Sequence, residues 1–172
     1  TVNGNVEIKV AGIGTQNVRG IRNAGTNGTM VFNGDVHIVA DIKNPSNGGY
    51  ITGVDTWSGS KTYFNGNTVI DINSGKGETI SWSNVWANAL QLNQGGYIAF
   101  SGEKCIMNVS NNGYTAQSVN LAGNTDIVEF NSNETIITSK SDYGVNGIAG
   151  YGKALFSGKD VTINSYLTSG VT

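Results

Sequence analysis

Val31-Phe32-Asn33-Gly34, Tyr63-Phe64-Asn65-Gly66 and Ala99-Phe100-Ser101-Gly102 are copies of one segment. Glu129-Phe130-Asn131-Ser132 and Leu155-Phe156-Ser157-Gly158 continue it, and Thr1-Val2-Asn3-Gly4 is a degenerate opening copy. From Val2 to Phe156 the copies follow each other at 30, 32, 36, 30 and 26 residues. Self-similarity at such a period marks a repeat architecture, because each unit can bury its apolar face only by stacking on its neighbours.

Each unit holds three short strand-like pieces. The phenylalanine segment is one. The second follows it and alternates apolar with polar, as in Val6-Glu7-Ile8-Lys9-Val10, Val36-His37-Ile38-Val39-Ala40 and Thr68-Val69-Ile70-Asp71-Ile72. A period of two predicts strands with one buried face. In later units the phase moves by one residue, to Cys105, Met107 and Val109 and to Val161 and Ile163. One extra turn residue would absorb that shift, since otherwise the buried face would turn to solvent. Glu134-Thr135-Ile136-Ile137-Thr138 reads in either phase. The third piece precedes each phenylalanine: Val18-Arg19-Gly20-Ile21, Ile51-Thr52-Gly53-Val54, Ala89-Leu90-Gln91-Leu92, Ser118-Val119-Asn120-Leu121 and Val145-Asn146-Gly147-Ile148. Glycine inside a strand suggests a bend, which suits the corner of a coil. Only Trp82 to Leu92 offers the spacing of a helical turn or two.

Three strands in about 31 residues without crossover helices match one turn of a parallel β-helix, with residues 1–172 as a single segment of five to six coils. Inward residues would stack as ladders, with phenylalanine along one edge and Asn33 on Asn65 beside it. A β-propeller blade needs four antiparallel strands in about 40–50 residues, more than this period allows. An antiparallel sandwich gives no reason for a repeated Phe-Asn-Gly.

The 172 residues are 38% hydrophobic and 13% charged, with a net charge of −2. That is enough apolar material for a core, and too little positive charge for a broad nucleic-acid surface. The 25 glycines and 23 asparagines supply turns, and a single proline among regular apolar positions argues against disorder. Cys105, the lone cysteine, permits no internal disulfide and reads as a buried thiol. No stretch reaches the roughly 18 apolar residues of a membrane-spanning helix. The chain opens at Thr1 without methionine and stops at Val171-Thr172 inside a strand-like run, so a longer parent chain is expected.

Chemistry-bearing motifs are scarce. His37, the only histidine, sits on the outward phase of its strand. No nucleophile elbow, phosphate loop or zinc spacing occurs. We therefore assign no catalytic residue, cofactor or metal. The carboxylates Asp35, Asp41, Asp55, Asp71, Asp126, Asp142 and Asp160 are scattered, and read as turn or solvated outward residues. Asp41 and Asp71 are the nearest to one repeat apart, yet follow their phenylalanines by 9 and 7 residues and do not align. The unit from Phe64 to Phe100 is expanded by Asn73-Ser74-Gly75-Lys76-Gly77-Glu78-Thr79, and insertions into a solenoid often carry binding. Trp82 and Trp86, with Trp57 one coil earlier, are the candidate ligand-binding residues, weighed against tryptophans that merely fill corners.

The repeats Gly28-Thr29-Met30-Val31-Phe32-Asn33-Gly34-Asp35-Val36-His37-Ile38 and Lys61-Thr62-Tyr63-Phe64-Asn65-Gly66-Asn67-Thr68-Val69-Ile70, with their Gly/Asn/Ser/Thr-rich turns, resemble the passenger domains of bacterial type V autotransporters. The resemblance implies a right-handed β-helix exported to the bacterial cell surface and anchored by a C-terminal outer-membrane β-barrel outside this chain. It implies a non-enzymatic adhesin or virulence scaffold, whose partners are a host-cell protein or glycan or sister molecules. It brings no functional residue with it. The alternative is a polysaccharide-degrading β-helix, such as a lyase or a phage-tailspike depolymerase.

Overall fold

A computed structural model describes residues 1–14, 17–45, 49–75, 85–112 and 114–168. Every strand pairing within it is parallel, between equivalent strands of successive coils. The first coil is β1 (Val6–Ile13), β2 (Val18–Asn23) and β3 (Thr29–Phe32). The second is β4 (Val36–Lys43), β5 (Tyr50–Trp57) and β6 (Lys61–Phe64); the third is β7 (Thr68–Ser74), β8 (Trp86–Asn93) and β9 (Tyr97–Phe100). The fourth is β10 (Lys104–Asn111), β11 (Thr115–Leu121) and β12 (Ile127–Phe130). The fifth is β13 (Glu134–Ser141), β14 (Gly144–Gly150) and β15 (Lys153–Phe156), after which β16 (Asp160–Leu167) begins a sixth. Three sheets result: β1-β4-β7-β10-β13-β16, β2-β5-β8-β11-β14 and β3-β6-β9-β12-β15. The chain is a three-sided parallel β-solenoid, as its period predicts.

Like stacks on like along the axis. The rings of Phe32, Phe64, Phe100, Phe130 and Phe156 are offset only slightly from parallel, with successive centroids 5.2, 5.0, 5.5 and 4.8 Å apart. Asn33 donates its side-chain N–H to Asn3 and Asn65 donates to Asn33, each at 2.8 Å, so the expected asparagine ladder forms on the exposed edge. The glycine of the motif has a steric cause at the next step. A Cβ on Gly66 would lie 2.4 Å from the carbonyl carbon and oxygen of Gly34, so the coils meet too closely there for any side chain.

The phase shift has the anticipated origin. Val36 and Thr68 lie four residues after their phenylalanines, whereas Cys105, Thr135 and Val161 lie five after theirs, and yet all five positions pair in register. The additional turn residue restores the same buried face. Register also resolves the ambiguous unit: Thr135, Ile137 and Ser139 are buried in line with Cys105, Met107 and Val109, and Ile136 points outward. The helical reading of Trp82 to Leu92 is corrected, because Trp86 onward is β8, with Trp86 pairing with Tyr50. Here pairing with strands on both sides outweighs a local 3.6-residue spacing.

Cys105 is fully buried in the core, and burial pushes its thiol far above the usual range. Asp126 is a turn residue as expected, but a fully buried one. Its Oδ1 accepts the backbone N–H groups of Gly95 (2.8 Å) and Gly96 (3.1 Å), and its Oδ2 accepts that of Gly123 (2.6 Å), tying the turns of two coils together.

Candidate binding groove

The second sheet bends, and the bend makes a groove. Along β2, β5, β8, β11 and β14 the alternation breaks at Gly20, Gly53, Ala89, Ser118 and Gly147, the small residues that register skips. These face inward against the first sheet. A Cβ on Gly20 would meet the Ile38 Cγ2 at 2.5 Å, and one on Gly53 would meet that of Ile70 at 2.5 Å. The following residues, Val54, Leu90 and Val119, are also fully buried. Two successive inward residues turn the outer face concave. Thr52, Asp55 and Asn88 lie on the outward phase yet are only 3%, 2% and 1% exposed.

The groove has a volume of about 460 Å³. Tyr50 and Trp86, paired across adjacent strands, line one side, and Trp57, paired with Asn93, lines the other. Between them lie Thr52, Asp55, Asn88, Gln91 and Asn120. The Trp86 ring stands edge-on to that of Tyr114, with centroids 5.1 Å apart and planes at 81°, so its orientation is held. Trp57 donates its indole N–H to Asp55. The other oxygen of Asp55 faces the Nε of Arg19 at 3.0 Å and that of Arg22 at 3.5 Å. Two guanidinium groups thus share one buried carboxylate at the β2 end. Further along, Asn88 and Asn120 both donate to the Gln91 side-chain oxygen, at 3.3 and 2.8 Å.

Of the three candidate tryptophans, Trp57 and Trp86 line this groove together and Trp82 lies outside the described residues, as does most of the expanded segment from Lys76. Asp41 and Asp71 are not brought together. Asp41 pairs in register with Asn73 and accepts its N–H at 2.9 Å, while Asp71 accepts from Asn108 at 2.8 Å. His37 is outward and partly exposed, and its Nε2 lies 3.0 Å from Asp71. Among the described residues no cluster of three or more His, Cys, Asp or Glu side chains is placed to hold a metal ion.

Asp55 corrects the expectation of solvated carboxylates, because it is outward but buried by the concavity and by two arginines. Arg19, Asn88, Gln91 and Asn120 are groove residues that motif reading missed. A signal for them was present. The residue just before each small corner residue is polar in every unit (Arg19, Thr52, Asn88, Gln117, Asn146), and two residues after the corner the units carry Arg22, Asp55, Gln91 and Asn120. Comparison with protein-family models, curated protein sequences and solved structures found no match to this chain.

Proposed function

We propose that the chain is a segment of a type V autotransporter passenger, a surface-displayed, non-enzymatic adhesin-like scaffold whose second sheet recognises a host-cell glycan or protein. One observation carries this reading: an otherwise regular rod holds a groove in which outward polar residues are buried between aromatic walls. Regular stacking does not require such a face; recognition does. The chemistry of the groove favours binding over cleavage. Glycoside hydrolysis generally uses two carboxyl groups flanking the scissile bond, whereas among the described residues Asp55 is the single carboxylate lining this groove, and it is held by Arg19, Arg22 and Trp57.

Adhesion of the purified chain to animal-cell monolayers tests the reading, with Thr52→Trp as the groove-filling variant. We expect saturable adhesion that the variant abolishes while retaining the β-sheet circular dichroism of the parent. Adhesion unchanged in the folded variant would sink the groove as the recognition face. Surface display has its own test, the reading frame beyond Thr172. About a dozen alternating strands of roughly 10 residues are expected there.

A further inference from the structure

We infer that the groove takes an extended saccharide bearing a carboxylate, laid along the solenoid axis with its acidic group at the Arg19/Arg22 end; this rests on the groove being the recognition face.

The first observation is the lining, a polar floor of Thr52, Asn88, Gln91 and Asn120 between the aromatic walls. Amide and hydroxyl side chains both donate and accept hydrogen bonds. A chain of sugar rings presents hydroxyl groups to such a floor and lays its C–H faces on aromatic walls such as Trp86 and Trp57. An extended peptide is a poorer fit. Peptide strands are recognised through free backbone groups at a sheet edge, and β5, β8 and β11 are each paired on both sides, leaving only side chains to offer.

Charge is the second observation. The Nε atoms of Arg19 and Arg22 lie 3.0 and 3.5 Å from one oxygen of Asp55, in ion pairs without a hydrogen bond. Two positive charges against one negative leave this end of the groove net positive on a chain whose net charge is −2. No other acid is ion-paired with either arginine among the described residues. The guanidinium fork matches a carboxylate in two-point geometry, so a second acid fits beside Asp55. From β2 to β11 the groove crosses three coil spacings, roughly 14 Å, the length of a short oligosaccharide.

The test is titration of the whole chain, by tryptophan fluorescence and calorimetry, with tetragalacturonate and a hyaluronan tetrasaccharide. Their methyl esters, cellotetraose and a short polyglutamate peptide are titrated alongside. We expect at least one acidic sugar to bind about tenfold tighter than its own ester, and Thr52→Trp to abolish that binding. Arg22→Gln, a change at a partly exposed side chain, should bring acid and ester to equal affinity without weakening the ester. The paired change Arg19→Gln with Asp55→Asn leaves Arg22 as one uncompensated positive charge and should keep the preference for the acid, so its loss there would also overturn the inference. Equal binding of acid and ester, polyglutamate binding as tightly as the sugars, or no sugar binding would each overturn the inference. If cell adhesion remains sensitive to Thr52→Trp in any of those cases, the adhesion reading stands and only the saccharide assignment falls.

Discussion

The ring of Phe64 lies 5.0 Å from that of Phe100, centroid to centroid, with the two planes within 6° of parallel. The residues are 36 positions apart in sequence and directly paired in space. Both are essentially fully buried. Each inner ring is therefore flanked on both faces by another ring, and removing one leaves a slot that its neighbours cannot close without breaking the coil spacing. Phe100→Ala should destabilise the chain by about 3–5 kcal/mol. Phe156→Ala should have a much smaller effect, because Phe156 is 38% exposed. Chemical denaturation of the two variants checks the ordering, and equal losses would refute the ladder as a source of stability.

Asp126 holds three backbone N–H groups from two coils. Asp126→Ala should cost about 3–5 kcal/mol, since it strands buried donors as well as removing charge-assisted bonds. Asp126→Asn keeps one acceptor oxygen and should recover part of the loss. Amide exchange offers a local check, with Gly95, Gly96 and Gly123 expected to lose protection first.

Gly66→Ala should destabilise by about 1–3 kcal/mol through overpacking against the Gly34 backbone. Gly4→Ala, at the first coil where nothing stands within 4 Å of the new methyl, should be close to neutral. Thermal melts of both variants measure the contrast.

Tyr97 packs beside Tyr63, with ring centroids 5.5 Å apart. Burial first, and then a hydrogen bond donated to Glu129, push its phenol up to about 12. The folded chain therefore keeps a proton that an unfolded tyrosine releases near pH 10. Stability from this group is fully present below that pH and declines between about pH 10 and about 12. Ultraviolet titration should show a late step from Tyr97 that is absent in Tyr97→Phe. A single transition near pH 10 in the folded protein would contradict this.

Much of the architecture was legible in the residues alone. In a parallel solenoid each position stacks on its own equivalent, so the constraints at one level of the coil recur in every unit and surface as a period. The Phe32-to-Phe156 ladder, the Asn33–Asn65 hydrogen bond and the phase shift at Cys105 all carry that imprint. The phase of Thr135 and Ile137 did not, because an apolar pair flanked by threonines satisfies either face until a neighbouring strand supplies the register. The strand from Trp86 was likewise settled by its pairing with β5 and β11 rather than by its own spacing. The groove depended on tertiary structure entirely. The outward phase of Thr52, Asp55 and Asn88 follows from local alternation, but their burial follows from the direction in which Gly20 and Gly53 bend the sheet. Which two arginines meet Asp55 was decided only when coils some 30 residues apart came into register.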